Sequence, residues 1–436
     1  MNRLLPTWAE ITLIVFFPLT SGWTQKPLGD LVDEVRKTNQ LKSISKTAKK
    51  IRESDYTSAD VYKEIISGDR CPKKPRTGFI RLKQEGMGLP PYAALFVPTN
   101  YDCRKKYPVE VMLHGATTNT DPDYLFNRFI DTVHIANYIQ NEKIYLFPSS
   151  WWLTPWWSQE QVTNISALLR WVKLIYNIDE SKIRLGGFSD GATGTYYVVN
   201  SMPTGWSSIT PFFGSISILN FFGNRHVYFL NYSAIPALII NGRKDEVFPI
   251  EEQVPFFNQL VMTNGKDRFI TIDSAKHNLN WLPPMRNTIN QFIDNCTRAQ
   301  IPDTLIWQTE QINSNRNNWV IINSIGNKKI NQAVDVNSVL IDNNKVPAFR
   351  RDKPFAYVKA IKKENRYDVS ASNTNSITLL VQYDRINYQL PVEVWINEKQ
   401  VFSSMLQPDL FTMLKWYNTD LDRLSLYANE LKLKVE

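Results

Sequence analysis

The sequence predicts an α/β fold, with a mostly parallel sheet flanked by helices and a β-rich unit after it. Three observations carry this reading. Short apolar runs alternate with helical periods between about residues 77 and 300. A Gly-Phe-Ser-Asp-Gly turn, Gly187–Gly191, lies between one such run and one such helix. Beyond about residue 300 the helical periods give way to segments rich in Val, Ile, Thr, Asn and Tyr with period-two alternation.

Composition sets the bounds. The chain has 436 residues, 43% apolar and 21% charged, enough to bury a sizeable core and build two or three domains. The formal charge is +8, but Lys and Arg are scattered in short runs such as Lys46–Arg52 and Arg104–Lys106. Such runs read as solvated faces, so no nucleic-acid partner is expected.

The elements follow in order. Arg3, the apolar run Ile11–Leu19 and the small residues Thr20-Ser21-Gly22 resemble an export signal over residues 1–22. The run is shorter than the roughly 20 residues a bilayer needs, so no integral span is expected in the mature protein. An extracytoplasmic location, periplasmic or secreted, follows from it. An uncleaved anchor or a buried N-terminal segment is the competing reading. Residues 23–76 form a helical segment, with Leu28, Leu31, Val32 and Val35 on one face and Leu41, Ile44, Ala48 and Ile51 continuing the stripe. These helices are expected to pack on the main domain.

Within 77–300, strands are predicted at Ala94–Val97, Val109–Leu113, Ile144–Pro148, Ile183–Leu185, Ala237–Ile240 and Phe269–Ile272, with helices between them. Strands alternating with helices imply a parallel sheet covered on both faces. The segment 301–436 reads as a second domain. It has a hairpin over Val392–Phe402, helical spacing at Leu410, Met413, Leu414 and Tyr417, and a last strand over Leu426–Val435. There are three cysteines, Cys71, Cys103 and Cys296. The first two could pair, or all three could remain thiols. No Cys or His spacing resembles a metal site, and no cofactor is implied.

The chemistry centres on Ser189. A serine on a sharp turn from strand to helix holds its hydroxyl clear of the sheet, and glycines two residues to either side relieve the crowding. The hydroxyl needs a base. Of the four histidines, His114 and His134 precede the serine, and His226 leaves little room for an acid. His277, in the loop after Phe269–Ile272, is the candidate base. Asp245, after the strand Ala237–Ile240, is the candidate acid, with Glu246 and Asp273 as rivals. The backbone N–H groups of Ala116 and Asp190 are candidates for an oxyanion hole. His114 is read as structural, holding the loop that follows Val109–Leu113.

These residues, with Tyr92–Pro98, Lys106-Tyr107-Pro108, Leu113-His114-Gly115, Tyr176–Asp179 and Gly242–Asp245 with Pro249, resemble the α/β-hydrolase superfamily. They are most similar to extracytoplasmic bacterial esterase and peptidase-like members related to polyhydroxyalkanoate-depolymerase and prolyl-oligopeptidase catalytic domains. The resemblance covers about residues 78–296 and implies a Ser-Asp-His triad acting through an acyl-enzyme. A weaker likeness over Pro391–Asn397 and Asp420–Leu431 implies a C-terminal β module found in some such hydrolases. Asp190 departs from the pattern, since many relatives have a neutral residue there. Unless turned away or paired, its carboxylate would oppose an oxyanion.

Trp151, Trp152, Trp156 and Trp157 follow the strand Ile144–Pro148, where a ligand cleft is expected, and are candidates to line it. Packing beneath a loop is the alternative. The expected partner is a small-molecule or polymeric ester, cleaved by a serine esterase. A prolyl-oligopeptidase-like serine peptidase and a catalytically lapsed binding protein are the alternatives.

Overall fold

The computed structural model describes residues 26–68, 75–83, 92–118, 120, 138–221, 226–298, 300–327, 338–341, 344–347 and 354–435. The expected export segment and Cys71 lie outside the described residues. Cys103 is disulfide-bonded, and Cys296 carries a free thiol.

Three helices come first: α1 (Leu28–Lys37), α2 (Leu41–Glu53) and α3 (Ser58–Ser67). The start of α3 is fixed by a capping box, with Thr57 and Asp60 each bonding the other's backbone N–H. An eight-stranded sheet follows: β1 (Gly78–Lys83), β2 (Tyr92–Val97), β3 (Tyr107–Leu113), β4 (Ile144–Pro148), β5 (Ile178–Phe188), β6 (Ser208–Phe212), β7 (Leu238–Gly242) and β8 (Arg268–Ile272). Its order is β1-β2-β4-β3-β5-β6-β7-β8. β2 runs antiparallel to both neighbours, and every other adjacent pair is parallel. Helices α4 (Gln159–Ile175), α5 (Asp190–Ser201), α6 (Ile250–Thr263) and α7 (Leu282–Asn295) accompany the strands. β4, β6 and β7 are buried along their whole length. Burial on both faces is why β4 and Leu238–Ile240 of β7 read as apolar runs, whereas β6, Ser-Ile-Thr-Pro-Phe, carries no such signal. On α4, Val162, Ile165, Leu168 and Val172 are buried against the sheet core.

This strand order, with its single reversed strand, is the α/β-hydrolase fold. From β3 the chain passes to β4 on one side, then crosses back to β5 on the other. The connections leaving β3 and β5 therefore diverge and open a crevice at the carboxyl ends of these two strands.

The remainder is mainly β. Strands β9 (Thr304–Thr309), β10 (Arg316–Asn317) and β11 (Val320–Ile325) come first, then a separate hairpin, β12 (Ser338–Ile341) and β13 (Asn344–Pro347). β14 (Ala356–Lys363), β15 (Arg366–Ser372), β16 (Thr374–Gln382), β17 (Val392–Ile396) and β18 (Lys399–Ser404) precede helix α8 (Leu410–Asp420) and β19 (Tyr427–Lys434). They form a four-stranded sheet, β10-β11-β16-β19, and a five-stranded sheet, β18-β17-β15-β14-β9. Alternating inward residues such as Val358, Ala360, Ile322, Ile377 and Leu379 make their common core. The hairpin between β17 and β18 turns at Asn397 and Glu398, both with positive φ, which matches the strand twist.

The N-terminal helices sit differently from the expectation. Their apolar face closes on α8 and β19: Leu31, Val35, Ile44, Ile51 and Ile65 share one core with Leu410, Met413, Leu414, Tyr417 and Leu426. The Asn418 amide donates to the Val35 and Thr38 carbonyls at the end of α1. An amphipathic stripe declares that a face is buried, not which partner covers it. The main domain is reached through polar contacts, as Arg36 donates to the Lys173 and Leu174 carbonyls at the end of α4.

A buried charge network ties the C-terminal part to the sheet. Arg423 clamps Glu180 at 2.6 and 2.8 Å and donates to the Ile178 carbonyl. Arg298 pairs with Asp422 and donates to the Glu180 carbonyl. Removing one partner of a buried pair leaves a desolvated charge, at a cost of about 3–5 kcal/mol. Arg423→Met is thus expected to lower stability by that amount in urea unfolding followed by Trp fluorescence. Deletion of residues 303–436 is expected to give aggregated protein, because α1–α3 lose the other half of their core; a soluble, cooperatively unfolding truncation would contradict this.

Candidate active site

The turn between β5 and α5 is built by close approach. A Cβ on Gly191 would lie 2.0 Å from the Leu113 carbonyl oxygen, and one on Gly187 would lie 2.3 Å from the Gly191 carbonyl carbon. Only glycine fits either position. Between them Ser189 adopts φ 58°, ψ −125°, a conformation costly for a residue with a side chain. Its N–H donates to the Phe212 carbonyl at 3.0 Å, and its carbonyl accepts from the Ala192 and Thr193 N–H groups. Backbone bonds on both sides thus hold the strained residue at the head of α5.

Ser189 Oγ lies 2.8 Å from His277 Nε2, and His277 Nδ1 lies 2.8 Å from Asp245 Oδ2. Asp245 is buried, and its other oxygen accepts from the Val247 and Phe248 N–H groups at 2.9 Å each. With its oxygens placed by backbone donors, the carboxylate fixes the imidazole with its proton on Nδ1. Nε2 is left as an acceptor facing the hydroxyl. Glu246 and Asp273 take no part in this series: Asp273 is on the surface, bonded to Arg243. Phe188, Phe213 and Phe248 surround the His277 ring with centroids 5.2–6.1 Å away. Phe213 is itself held at φ 56° and stacks on Trp281. Sequence reasoning missed these aromatics, because they come from three separate segments, the end of β5 and the loops after β6 and β7, and share no spacing.

The loop after β3 meets Ser189 directly. A Cβ on Gly115 would be 2.9 Å from Ser189 Cβ. Ala116 follows with φ 58°, and no acceptor for its N–H is found among the described residues. Asp190 is the first residue of α5, so its N–H has no partner within the helix. Both candidate oxyanion donors thus flank Ser189. The Asp190 carboxylate is paired: Oδ2 accepts from the Thr117 N–H at 2.8 Å and from Thr117 Oγ1 at 3.2 Å. Thr117 was not singled out from sequence, where nothing marks it as the partner of a residue 73 positions away.

His114 is buried behind this loop. Its Nε2 accepts from the Ser150 N–H at 3.0 Å, which puts the ring proton on Nδ1, donating to the Gly115 carbonyl at 2.8 Å. Burial lowers its pKa to about 4.

The tryptophans part company, and the cleft-lining expectation is corrected for Trp156. That ring is fully buried, packs on Gly194 of α5 and donates its N–H to the His114 carbonyl at 2.8 Å. It supports the loop from below and cannot touch a ligand. Trp157 packs on the main core, and Trp151 is half-buried, bridging to Thr154. Trp152 projects into solvent with Leu153, at 60% and 78% exposure. Tryptophan is large and apolar whether it fills a core or lines a cleft, so its clustering in sequence does not separate the two.

Among the described residues no group of three or more His, Cys, Asp or Glu could hold a metal ion, and no helix is long and apolar enough to cross a membrane.

No family model matches the chain, and no curated protein matches it. Among solved structures it is similar to a thermostable esterase, with a TM-score of 0.41 and 21% identity over 50% of this chain and 62% of that one. It is also similar to Est1E from Butyrivibrio proteoclasticus, with a TM-score of 0.38 and 17% identity over 50% of this chain and 100% of that one. A fluorophosphonate-binding serine hydrolase of Staphylococcus aureus, FphF, gives a TM-score of 0.41 and 15% identity over 50% of this chain and 99% of that one.

The buried His114 makes stability depend on pH. Its folded pKa, about 4, lies below the unfolded value of 6.5, so the unfolded chain takes up the proton first as pH falls. The stabilisation is full above about pH 6.5, is lost between 6.5 and 4, and amounts to about 3 kcal/mol. Urea midpoints at pH 7 and pH 4.5 should differ less in His114→Gln than in the wild type; an equal difference would exclude His114 as the source.

Proposed function

We propose that this α/β-hydrolase-fold protein is an extracytoplasmic serine hydrolase that cleaves carboxylic esters. The observation that carries the reading is the unbroken hydrogen-bonded series from Asp245 through His277 to Ser189, each link 2.8 Å. Ser189 Oγ attacks the ester carbonyl carbon while His277 Nε2 takes the hydroxyl proton. The tetrahedral oxyanion is received by the Asp190 and Ala116 N–H groups. Collapse expels the alcohol, which takes the proton back from His277, and leaves an acyl-serine. Water then repeats the sequence and releases the acid.

Apolar side chains are exposed after the strand ends. Trp152 and Leu153 follow β4, and Val247, at 56% exposure, follows β7. They suit an apolar acyl or alcohol group. A serine peptidase would use the same series, so the substrate test must include both bonds. Location outside the cytoplasm is supported by the Ile11–Leu19 segment and by the disulfide at Cys103, a bond favoured in oxidising compartments.

Turnover of p-nitrophenyl acetate is expected to fall by several orders of magnitude in Ser189→Ala, nearly as far in His277→Ala and less in Asp245→Asn. A fluorophosphonate probe should label Ser189 alone. Near-wild-type activity in the His277 variant would sink the assignment. Faster cleavage of aminoacyl-p-nitroanilides than of esters would reverse the substrate reading. Intact mass of protein recovered from its native host is expected to place the first residue near Trp23; a retained Met1 would refute cleavage.

A further inference from the structure

The geometry points to Asp190 as a positioning residue: its side chain, clamped on Thr117, sets the loop that carries the second oxyanion donor. This rests on the reading of Ser189 as nucleophile and goes beyond it. The Asp190 backbone N–H already has a place in that reading, whereas its carboxylate had only an unfavourable one.

The argument begins with the loop. Gly115 runs past Ser189 at contact distance, and Ala116 must then take φ 58°. A residue with a Cβ disfavours that conformation by about 1–2 kcal/mol, so the loop needs holding from outside. Two side chains do so. His114 grips it from behind through the Gly115 carbonyl and the Ser150 N–H. Asp190 grips it on the nucleophile side through both donors of Thr117, at 2.8 and 3.2 Å. Thr117 is buried and Asp190 half-buried, so both bonds are partly shielded from competing water. Ala116 lies between the two anchors.

The clamp also answers the electrostatic problem. A carboxylate on the residue after the nucleophile repels an oxyanion unless donors occupy it. Here one backbone N–H and one hydroxyl point at its Oδ2, so the charge is directed at the loop. Chemically the device joins the two oxyanion donors into one unit. Asp190 provides one N–H from its backbone and, through its side chain, fixes the peptide that follows the other.

A merely structural role, in which Asp190 complements the positive N-terminus of α5, makes a different prediction. It would cost stability and leave kcat intact. The positioning role affects kcat, because the oxyanion exists only along the reaction path, and spares KM. Removing an oxyanion donor outright costs about 100- to 1000-fold, so loosening one should cost somewhat less.

The test uses the full-length chain with p-nitrophenyl acetate. Asp190→Ala should lower kcat by about 30- to 100-fold with KM within about threefold. Asp190→Asn keeps a side-chain oxygen for Thr117 and should recover at least about tenfold of that loss. Thr117→Val removes only the hydroxyl donor and should cost less, and it should add nothing to Asp190→Ala, since both act through one contact. Wild-type kcat in Asp190→Ala, no recovery in Asp190→Asn or additive losses would each overturn the inference. Hydrogen exchange supplies a readout independent of activity: the Thr117 N–H should exchange faster in Asp190→Ala, and unchanged exchange would overturn the clamp. Were the wild type to hydrolyse no ester and resist the fluorophosphonate probe, the hydrolase reading would fall by itself, with exchange still deciding the clamp.

Discussion

The centre of the molecule depends on one close approach, the backbone of α5 at Gly191 against the Leu113 carbonyl at the end of β3. It leaves no room for a side chain and compresses the turn from β5 into α5, so that Ser189 must adopt a positive φ. The strain is offset by bonds the turn could not otherwise make: the serine N–H completes the sheet with Phe212, and its carbonyl accepts the Ala192 and Thr193 N–H groups in the first turn of α5. The same compression brings Gly115 against Ser189 Cβ. Ser189, the loop and the helix N-terminus are thus placed by one packing event.

Around that point the polar groups are arranged by what shields them. The Asp245 carboxylate is buried and saturated by two backbone N–H groups and an imidazole, leaving it little freedom to turn. The His277 ring is confined by three phenylalanines, one of them in a strained conformation. Side chains locked by packing hold a reactive geometry better than side chains on free loops. His114 and Trp156 perform the corresponding service beneath the loop after β3: both are buried, and their ring N–H and acceptor atoms are taken up by backbone groups of that region.

The outer parts of the chain are joined to this centre by charge as well as by apolar burial. Glu180, Arg423, Arg298 and Asp422 meet at the base of β5, far along the strand from Ser189. Buried ion pairs contribute little net stability when intact, yet each is costly to break. Such a junction specifies one docking of the C-terminal sheets more than it strengthens it. The helices α1–α3 then rest on α8 and β19, so the two ends of the chain stabilise each other.

Much of the central fold was legible in the sequence, because its signals are local. Six of the eight strands of the main sheet correspond to predicted apolar runs, and Gly187–Gly191 announced its turn through residues two positions apart. The order of serine, acid and histidine along the chain narrowed the candidates that the structure brings within hydrogen-bonding distance. What sequence could not supply was anything decided by which surfaces meet. The stripe on α1 and α2 declared a buried face, but only packing revealed that residues near 410–428 cover it. Four tryptophans looked equivalent until burial separated Trp156 from Trp152. Asp190 read as a charge in the wrong place until its partner, Thr117, arrived from another strand end. Periodicity and turn chemistry are written residue by residue, whereas burial and long-range pairing exist only once the chain has closed on itself.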